Sequence, residues 1–293
     1  MARQVLEAIV DGILIGGVYA LMAVGLTLIF GVLDIINIAQ GVLVVLGAYL
    51  SYALSVHLHV DLFAGLLVTV PAMFVIGVAI HVAFIRPLRG RERTSMSLLA
   101  CYAVAIIIEG VLYWAFGPST VSLNGSYVTA EVHIAWFYLP YIYLYGFALA
   151  VALVAALYLL LYRTRFGSSV RATMQNQTAA KLIGIDVNRV AALTFGIGVG
   201  VTAAGGMVYG ATSGGFSPNS GYDLISRLLA IIILGGLGSI GGALAAAVFM
   251  MTLQSVVDIW YPNWAVAVFY AALVVVLTFR PAGLFGRQAA RAQ

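Results

Sequence analysis

Two charged side chains that stand inside long apolar runs are the first residues whose placement suggests chemistry. Glu109 lies about two helical turns before the end of one run, and Arg227 lies near the start of another. A charge inside a membrane is costly, so it marks a functional site by default. An ion pair that ties two helices together explains the same placement equally well. Both residues are therefore intramembrane charge candidates, with the two interpretations open.

Polar and glycine-rich interruptions of the apolar runs form a second group. The sequence GVLDIINIAQ at 31–40 and the sequence GGLGSIGG at 235–242 break two apolar segments. Three apolar positions of each align as a weak internal repeat: Leu33, Ile36 and Ala39 with Leu237, Ile240 and Ala243. Such interruptions in corresponding halves indicate a transport path, although glycines also serve close helix packing. The predicted path residues are Thr27, Gly31, Asn37, Gln40, Gly235, Gly236 and Ser239.

Several kinds of catalytic site find no support in the sequence. The only lysine, Lys181, follows an alanine, so the phosphate-binding motif G-x-x-x-x-G-K-[ST] is not present. No nucleophile stands in a pattern with a base. His57 and His59 could hold a metal, but an interfacial pair at a helix end explains them better, because no cysteine and no cluster of carboxylates beyond Asp61 lies nearby. We therefore expect a protein that is not an enzyme and that needs no cofactor or metal.

Composition predicts an integral membrane protein. Of the 293 residues, 63% are hydrophobic and only 8% are charged, whereas soluble domains average about a quarter charged residues. Long uninterrupted apolar segments favour helices over a barrel. We predict an all-α, polytopic bundle of 8–10 transmembrane helices, with interrupted helices, that forms a single domain over residues 1–293.

Positive charge predicts which loops face the cytoplasm. Twelve of the fourteen Lys and Arg residues fall in three stretches: residues 86–93, residues 163–189 and the tail from Arg280. Basic loops stay in the cytoplasm, so the net charge of +4 reflects topology and implies no nucleic-acid partner. The side of the N-terminus stays open, because counting spans puts it outside and Arg3 weakly favours the inside.

The two longest loops have different predicted roles. Residues 163–189 suit a cytoplasmic helix over 168–183 that docks on a soluble partner, with a serine at 168 or 169 as its N-cap and Gly184 at its end. Residues 117–140 contain no Lys or Arg and face outward. The Asn124-Gly125 pair predicts a β-hairpin or lid there.

Four stretches together resemble a known family. They are residues 19–50 (YALMAVGLTLIFGVLDIINIAQGVLVVLGAYL), FSPNSGYD at 216–223, ILGGLGSIGGALAAAVF at 233–249 with RPAGLFGR at 280–287, and R-x-R-x-G-x-x-x-R-A at 163–172. The chain resembles the permease subunits of branched-chain amino acid ABC importers, of the LivH type within the LivH/LivM family. One position departs from the family's frequent N-x-A-H-G pattern, because Gln40 stands where histidine is common.

The resemblance implies one subunit of a larger importer in the bacterial cytoplasmic (inner) membrane. Its partners would be membrane lipid, a second LivM-like permease or a copy of this chain, two cytoplasmic ATP-binding subunits and an external solute-binding protein. Contact with the ATPase is expected at Gly167, Arg171, Ala172, Ala179, Ala180 and Gly184. Branched-chain amino acids are the expected substrate. A urea or short-amide permease, a self-sufficient secondary carrier and a membrane scaffold are the alternatives.

Overall fold

The computed structural model describes residues 2–88, 93–134 and 137–285 of the chain. The described part is helical apart from one short hairpin. Its elements are α1 (Ala2–Leu33), α2 (Gln40–Leu58), α3 (Leu62–Ile80), a π-helical turn (His81–Ile85), α4 (Arg93–Phe116), α5 (Ser126–Thr129), β1 (Glu131–Ile134), β2 (Phe137–Pro140), α6 (Tyr141–Arg163), α7 (Arg165–Gln175), α8 (Gln177–Leu182), α9 (Val187–Thr212), α10 (Ser220–Gly235), α11 (Ile240–Asp258) and α12 (Pro262–Phe279). Within those residues, eight helices are long and apolar enough to cross a membrane, which confirms the predicted helical bundle.

Helices α1 and α9 form the centre of the bundle, and glycines bring their neighbours close to them. A Cβ atom added at Gly12 would lie 2.4 Å from the Cα of Thr252, and one at Gly16 would lie 2.8 Å from the Cα of Val248, so α1 and α11 touch through their backbones. A Cβ at Gly198 of α9 would lie 2.8 Å from the carbonyl oxygen of Gly25 in α1. Small residues let helices approach in this way in membranes, where burial of apolar surface gives little drive for association.

The contacts of α1 orient the whole bundle. Its last turn touches α7, which lies in the arginine-rich segment 163–189, whereas Ala2 lies at the other end of a helix about 48 Å long. We call the end that carries residues 163–189 the basic end and the opposite end the outer end. The N-terminus therefore lies at the outer end, which agrees with counting spans rather than with the charge of Arg3.

The outer loop 117–140 contains a hairpin, but not at the predicted place. The strands are β1 and β2, which pair antiparallel with Glu131 opposite Pro140. Asn124 and Gly125 instead precede the short helix α5. Val121 pairs with Phe216 from the loop before α10, through two backbone hydrogen bonds of 3.0 and 2.8 Å. Val121 therefore pairs with a distant segment, although the alternating pattern around Asn124-Gly125 assigned it to a strand of the hairpin.

The single cytoplasmic helix predicted over 168–183 is wrong, because the segment forms two helices, α7 and α8. Thr164, rather than Ser168 or Ser169, caps α7, with its hydroxyl oxygen accepting from the Gly167 amide at 3.0 Å. Asn176 then starts α8 by accepting from the amides of Thr178 and Ala179 at 2.9 and 3.0 Å. The predicted end is confirmed, since Gly184 has a left-handed φ of 87°.

The chain after α12 returns to the end of α10. The amide of Leu284 donates to the carbonyl of Leu234 at 2.7 Å, and the amide of Phe285 donates to that of Gly235 at 3.2 Å. These bonds satisfy carbonyls that a helix C-terminus otherwise leaves without partners. Residues 89–92 and 286–293, which belong to two of the predicted basic stretches, lie outside the described residues.

Candidate translocation path and coupling segment

The first interruption of the apolar segments is a non-helical stretch between α1 and α2. Asp34, at its start, adopts a left-handed φ of 56°, which ends α1, and α2 begins at Gln40. The Gln40 side-chain amide donates to the Thr202 hydroxyl at 2.6 Å, and that hydroxyl donates to the Gly198 carbonyl at 2.7 Å. Asn37 donates to Gln40 Oε1 at 2.9 Å. The start of α2 is therefore tied to the middle of α9 by side-chain hydrogen bonds.

Two polar residues of this interruption, together with Thr27 in α1 before it, lie inside the chain, whereas Asp34 is exposed. Thr27, Asn37 and Gln40 are at most 1% exposed. The Thr27 hydroxyl and Asn37 Oδ1 have no hydrogen-bond partner among the described residues. Buried polar atoms without partners are costly, so water or a polar group that reached them would be stabilised there. Gly31, one turn before Asp34, is partly buried.

The second interruption lies beside the first. Gly236 and Gly238, with φ of 97° and 79°, turn the chain between α10 and α11, and Ser239 caps α11 by accepting from the Gly242 amide at 3.1 Å. A Cβ added at Gly238 would lie 3.9 Å from the Cα of Gly31. The two interruptions that the sequence paired thus meet at the basic end. Gly235 and Gly236 are buried and Ser239 is partly exposed.

The arginine-rich segment touches the end of α1 just before the first interruption. A Cβ added at Gly31 would lie 2.3 Å from the terminal methyl of Met174 in α7. The Gln177 side-chain amide donates to the carbonyl of Val32 at 2.9 Å. A displacement of α7 and α8 would therefore reach Asp34 and the residues that follow it directly. Sequence reasoning missed Gln177 and Thr202, since neither stands in a recognisable pattern.

The predicted ATPase-coupling residues divide into a buried set and an exposed set. A Cβ at Gly167 would lie 2.3 Å from two carbonyl oxygens of α6, and Ala180 is 2% exposed, so both pack inside the chain. Arg171 donates to the Leu161 carbonyl and lies 4.8 Å from the Tyr162 ring centre. Ala172 is partly exposed, whereas Ala179 and Gly184 are exposed. The exposed set is flanked by two apolar side chains that are also exposed, Leu182 with an exposed fraction of 84% and Ile183 with one of 74%.

The two intramembrane charges have separate, uncharged partners. The Tyr222 hydroxyl donates to Glu109 at 2.6 Å, which ties α10 to α4. Arg227 donates to the Gln254 side-chain oxygen at 2.7 Å, which ties α10 to α11. In residues 2–88, 93–134 and 137–285 the ion pairs are Arg3–Glu7 and Arg189–Asp186, so Glu109 and Arg227 are not joined to each other. Each charge does tie two helices together, but through a hydrogen bond to an uncharged side chain rather than through an ion pair.

A tyrosine fastens the outer loop to the start of α3. The Tyr127 hydroxyl donates to Asp61 at 2.7 Å and accepts from the Leu62 amide at 3.2 Å. Burial raises the pKa of Tyr127 above its ordinary value, and the hydrogen bond to Asp61 raises it further. The hydroxyl therefore keeps its proton at neutral pH, and the loop stays attached to the bundle.

Comparison with known proteins identifies the architecture. The family model described as "branched-chain amino acid transport system / permease component" matches residues 8–277. The chain belongs to this family. The permease is thus a multi-pass membrane protein, placed in the inner membrane in bacteria, and a transport subunit rather than an enzyme. Hydrolysis of ATP takes place on a separate subunit in such systems.

Individual relatives are similar over nearly the whole permease. It is 26% identical over 295 residues to the high-affinity branched-chain amino acid transport system permease protein BraD of Pseudomonas aeruginosa, covering 96% of each chain. It is 27% identical over 297 residues to the LivH protein of Escherichia coli K12, again covering 96% of each. A probable LivH of Methanocaldococcus jannaschii is 28% identical over 261 residues, which cover 86% of this chain and 81% of that one. No solved structure matches this chain.

Proposed function

We propose that this chain forms part of the translocation path of an ATP-driven importer for branched-chain amino acids. BraD and the LivH proteins, which are similar to it over nearly their whole length, are named as branched-chain amino acid permeases. The chain works with a second LivM-like permease or a second copy of itself, two cytoplasmic ATP-binding subunits and an external solute-binding protein. Membrane lipid surrounds it, and it has no nucleic-acid partner.

The observation that carries this proposal is the contact between the arginine-rich segment and the end of α1. Met174 and Gln177 reach Gly31 and Val32 from α7 and α8. Movement of ATP-binding subunits docked on this segment is thereby transmitted to the polar interruption that contains Asn37 and Gln40. Alternating access follows when such a displacement repacks the helices around the path.

The docking surface for the ATP-binding subunits is the exposed set at the basic end. Ala179, Leu182, Ile183 and Gly184 project from α8 and the turn after it. This surface lies in a hydrophilic, arginine-rich segment, so lipid is not its natural cover, and large apolar side chains left in water indicate a protein interface. Gly167, Arg171 and Ala180 support it from inside by fixing α7 on α6 and α8 on the bundle.

The path itself is assigned to the two adjoining interruptions. Thr27, Asn37 and Gln40 supply polar groups, and Gly31, Gly235 and Gly236 keep the backbones close, with Ser239 at the partly exposed edge. Because the polar groups are buried in this conformation, transport requires α1 and α2 to part from α9 during the cycle. The hydrogen bond between Gln40 and Thr202 is the contact that would open.

A substrate panel tests the proposed function. The complete complex would be reconstituted in liposomes with ATP on the cytoplasmic side, and uptake of labelled leucine, urea and acetamide would be measured. We expect saturable leucine uptake that needs ATP and the external binding protein. Uptake of urea or acetamide without leucine uptake would replace the amino acid assignment by the amide alternative.

A further inference from the structure

An acid and an arginine lie one turn apart on α10 without forming an ion pair. Asp223 and Arg227 are separated by four residues, the spacing at which helical side chains meet. Neither forms a salt bridge within the described part of the chain, and Asp223 accepts no hydrogen bond there. Two opposite charges kept apart beside a membrane interior are costly. A ligand that carries both charges would satisfy them together.

Four other helices contribute side chains near these two charges of α10. Tyr19 of α1, Tyr209 of α9 and Tyr270 of α12 are all in electrostatic range of both Asp223 and Arg227, and we call them the outer tyrosine cluster. Gln254 of α11 holds one nitrogen of Arg227 at 2.7 Å. The Phe269 ring of α12 has its centre 5.7 Å from the guanidinium carbon. The guanidinium is thus fixed in place while most of its N–H donors remain available.

The depths of the two charges fit delivery from an external protein. Asp223 lies in the first turn of α10, at the outer end of the bundle, and is exposed, whereas Arg227 one turn deeper is half-buried. Tyr19 of the outer tyrosine cluster is 8% exposed and lies inside the bundle. A solute that enters from the outer end meets the acid first and the arginine next.

We propose that Asp223 and Arg227 bind the ammonium and the carboxylate of a zwitterionic α-amino acid at the outer entrance of the permease. The planar guanidinium matches a carboxylate in a two-point contact. The aromatic rings near the two charges, Phe269 and the outer tyrosine cluster, provide apolar surroundings for an aliphatic side chain. The proposal rests on the proposed function, because it takes an amino acid as the transported solute.

Direct binding without the external protein tests this site. Labelled L-leucine would be titrated onto the solubilised complex of permeases and ATP-binding subunits, with the external binding protein left out. Unlabelled leucine should compete, whereas isoamylamine, which lacks the carboxylate, and isocaproate, which lacks the ammonium, should not. Arg227→Gln and Asp223→Asn should each weaken binding about tenfold or more, or remove the sites contributed by this chain. Asp258→Asn, an exposed acid at the end of α11, is the control and should bind as wild type.

The outcomes separate this inference from the proposed function. A complex that imports leucine with its binding protein, yet binds none without it, would contradict the site and leave the function standing. Unchanged binding in Asp223→Asn would do the same. If Arg227→Gln fails to assemble because its contact with Gln254 is lost, Asp223→Asn still decides, since it breaks no hydrogen bond or ion pair in the described structure. Absence of leucine import altogether would overturn the function first.

Discussion

Gln177 donates a hydrogen bond from its side-chain amide to the main-chain carbonyl of Val32, a residue 145 positions earlier, at 2.9 Å. This bond joins the arginine-rich segment to the last turn of α1, immediately before Asp34 ends that helix. In the proposed importer it lies between the subunits that hydrolyse ATP and the polar interruption of the path.

Replacing Gln177 with leucine should uncouple ATP hydrolysis from transport. The loss of one hydrogen bond of about 1 kcal/mol lowers the efficiency of transmission about fivefold. Leucine uptake per ATP hydrolysed, measured in liposomes, should fall by that factor while the complex still assembles. Gln175→Leu is the matched control, because Gln175 is exposed and makes no hydrogen bond in the described structure. Equal coupling in the two variants would remove Gln177 from the transmission route.

An acidic residue at Leu182 should prevent docking of the ATP-binding subunits. Leu182 is 84% exposed, so Leu182→Asp leaves the bundle intact but places a charge in the proposed interface. Pull-down of the ATP-binding subunits should drop at least tenfold, together with binding-protein-stimulated ATP hydrolysis. Leu58→Asp, at the outer end where leucine is 65% exposed, should retain both. Normal pull-down with Leu182→Asp would mean that the interface lies elsewhere.

Two threonines of α9 should respond differently to replacement by valine. Thr202→Val removes the acceptor of the buried Gln40 amide and should lower the free energy of unfolding by about 1–3 kcal/mol. Thr194→Val removes a buried hydroxyl that has no partner in the described structure, so stability should be unchanged or slightly higher. Unfolding in a denaturing detergent titration measures both. Equal effects would show that the hydrogen bond to Gln40 adds nothing.

Two glycines near the second interruption should differ in their tolerance of alanine. A Cβ at Gly235 would lie 2.5 Å from the backbone of Gly242, whereas nothing lies within 4 Å of one at Gly241. Gly235→Ala must push α10 and α11 apart, and should lower both thermal stability and leucine uptake. Gly241→Ala, within α11, should raise stability by up to about 1 kcal/mol. A Gly235→Ala variant as stable and active as wild type would contradict the close packing at this interruption.

Local signals in the sequence account for most of the fold. Apolar runs predict the spanning helices, and the polar residues between Gly31 and Gln40 and the glycines at 235–242 predict where helices break. The partners of these residues could not be predicted, because a contact such as Gln40 with Thr202 joins positions 162 residues apart. The same applies to the tail that caps α10. The hairpin was misplaced since Val121 pairs with the distant Phe216.

The arginine-rich segment shows where local rules compete. Ser168 and Ser169 are good capping residues by type, yet both hydroxyls donate to the Arg165 carbonyl because Thr164 has already capped the helix that begins at Arg165. Asn176 then divides the segment, which the pattern of apolar positions does not indicate. The exposure of Leu182 and Ile183, on which the proposed docking surface rests, depends on that division.

The energy source of transport tests the central claim most directly. Leucine uptake would be measured in liposomes that contain the complete complex with its binding protein, and in liposomes that contain this chain alone. The account predicts uptake only in the complete complex, with ATP on the cytoplasmic side, and none when a non-hydrolysable ATP analogue replaces ATP. Uptake by this chain alone, driven by a sodium or proton gradient, would contradict the account and establish a self-sufficient carrier.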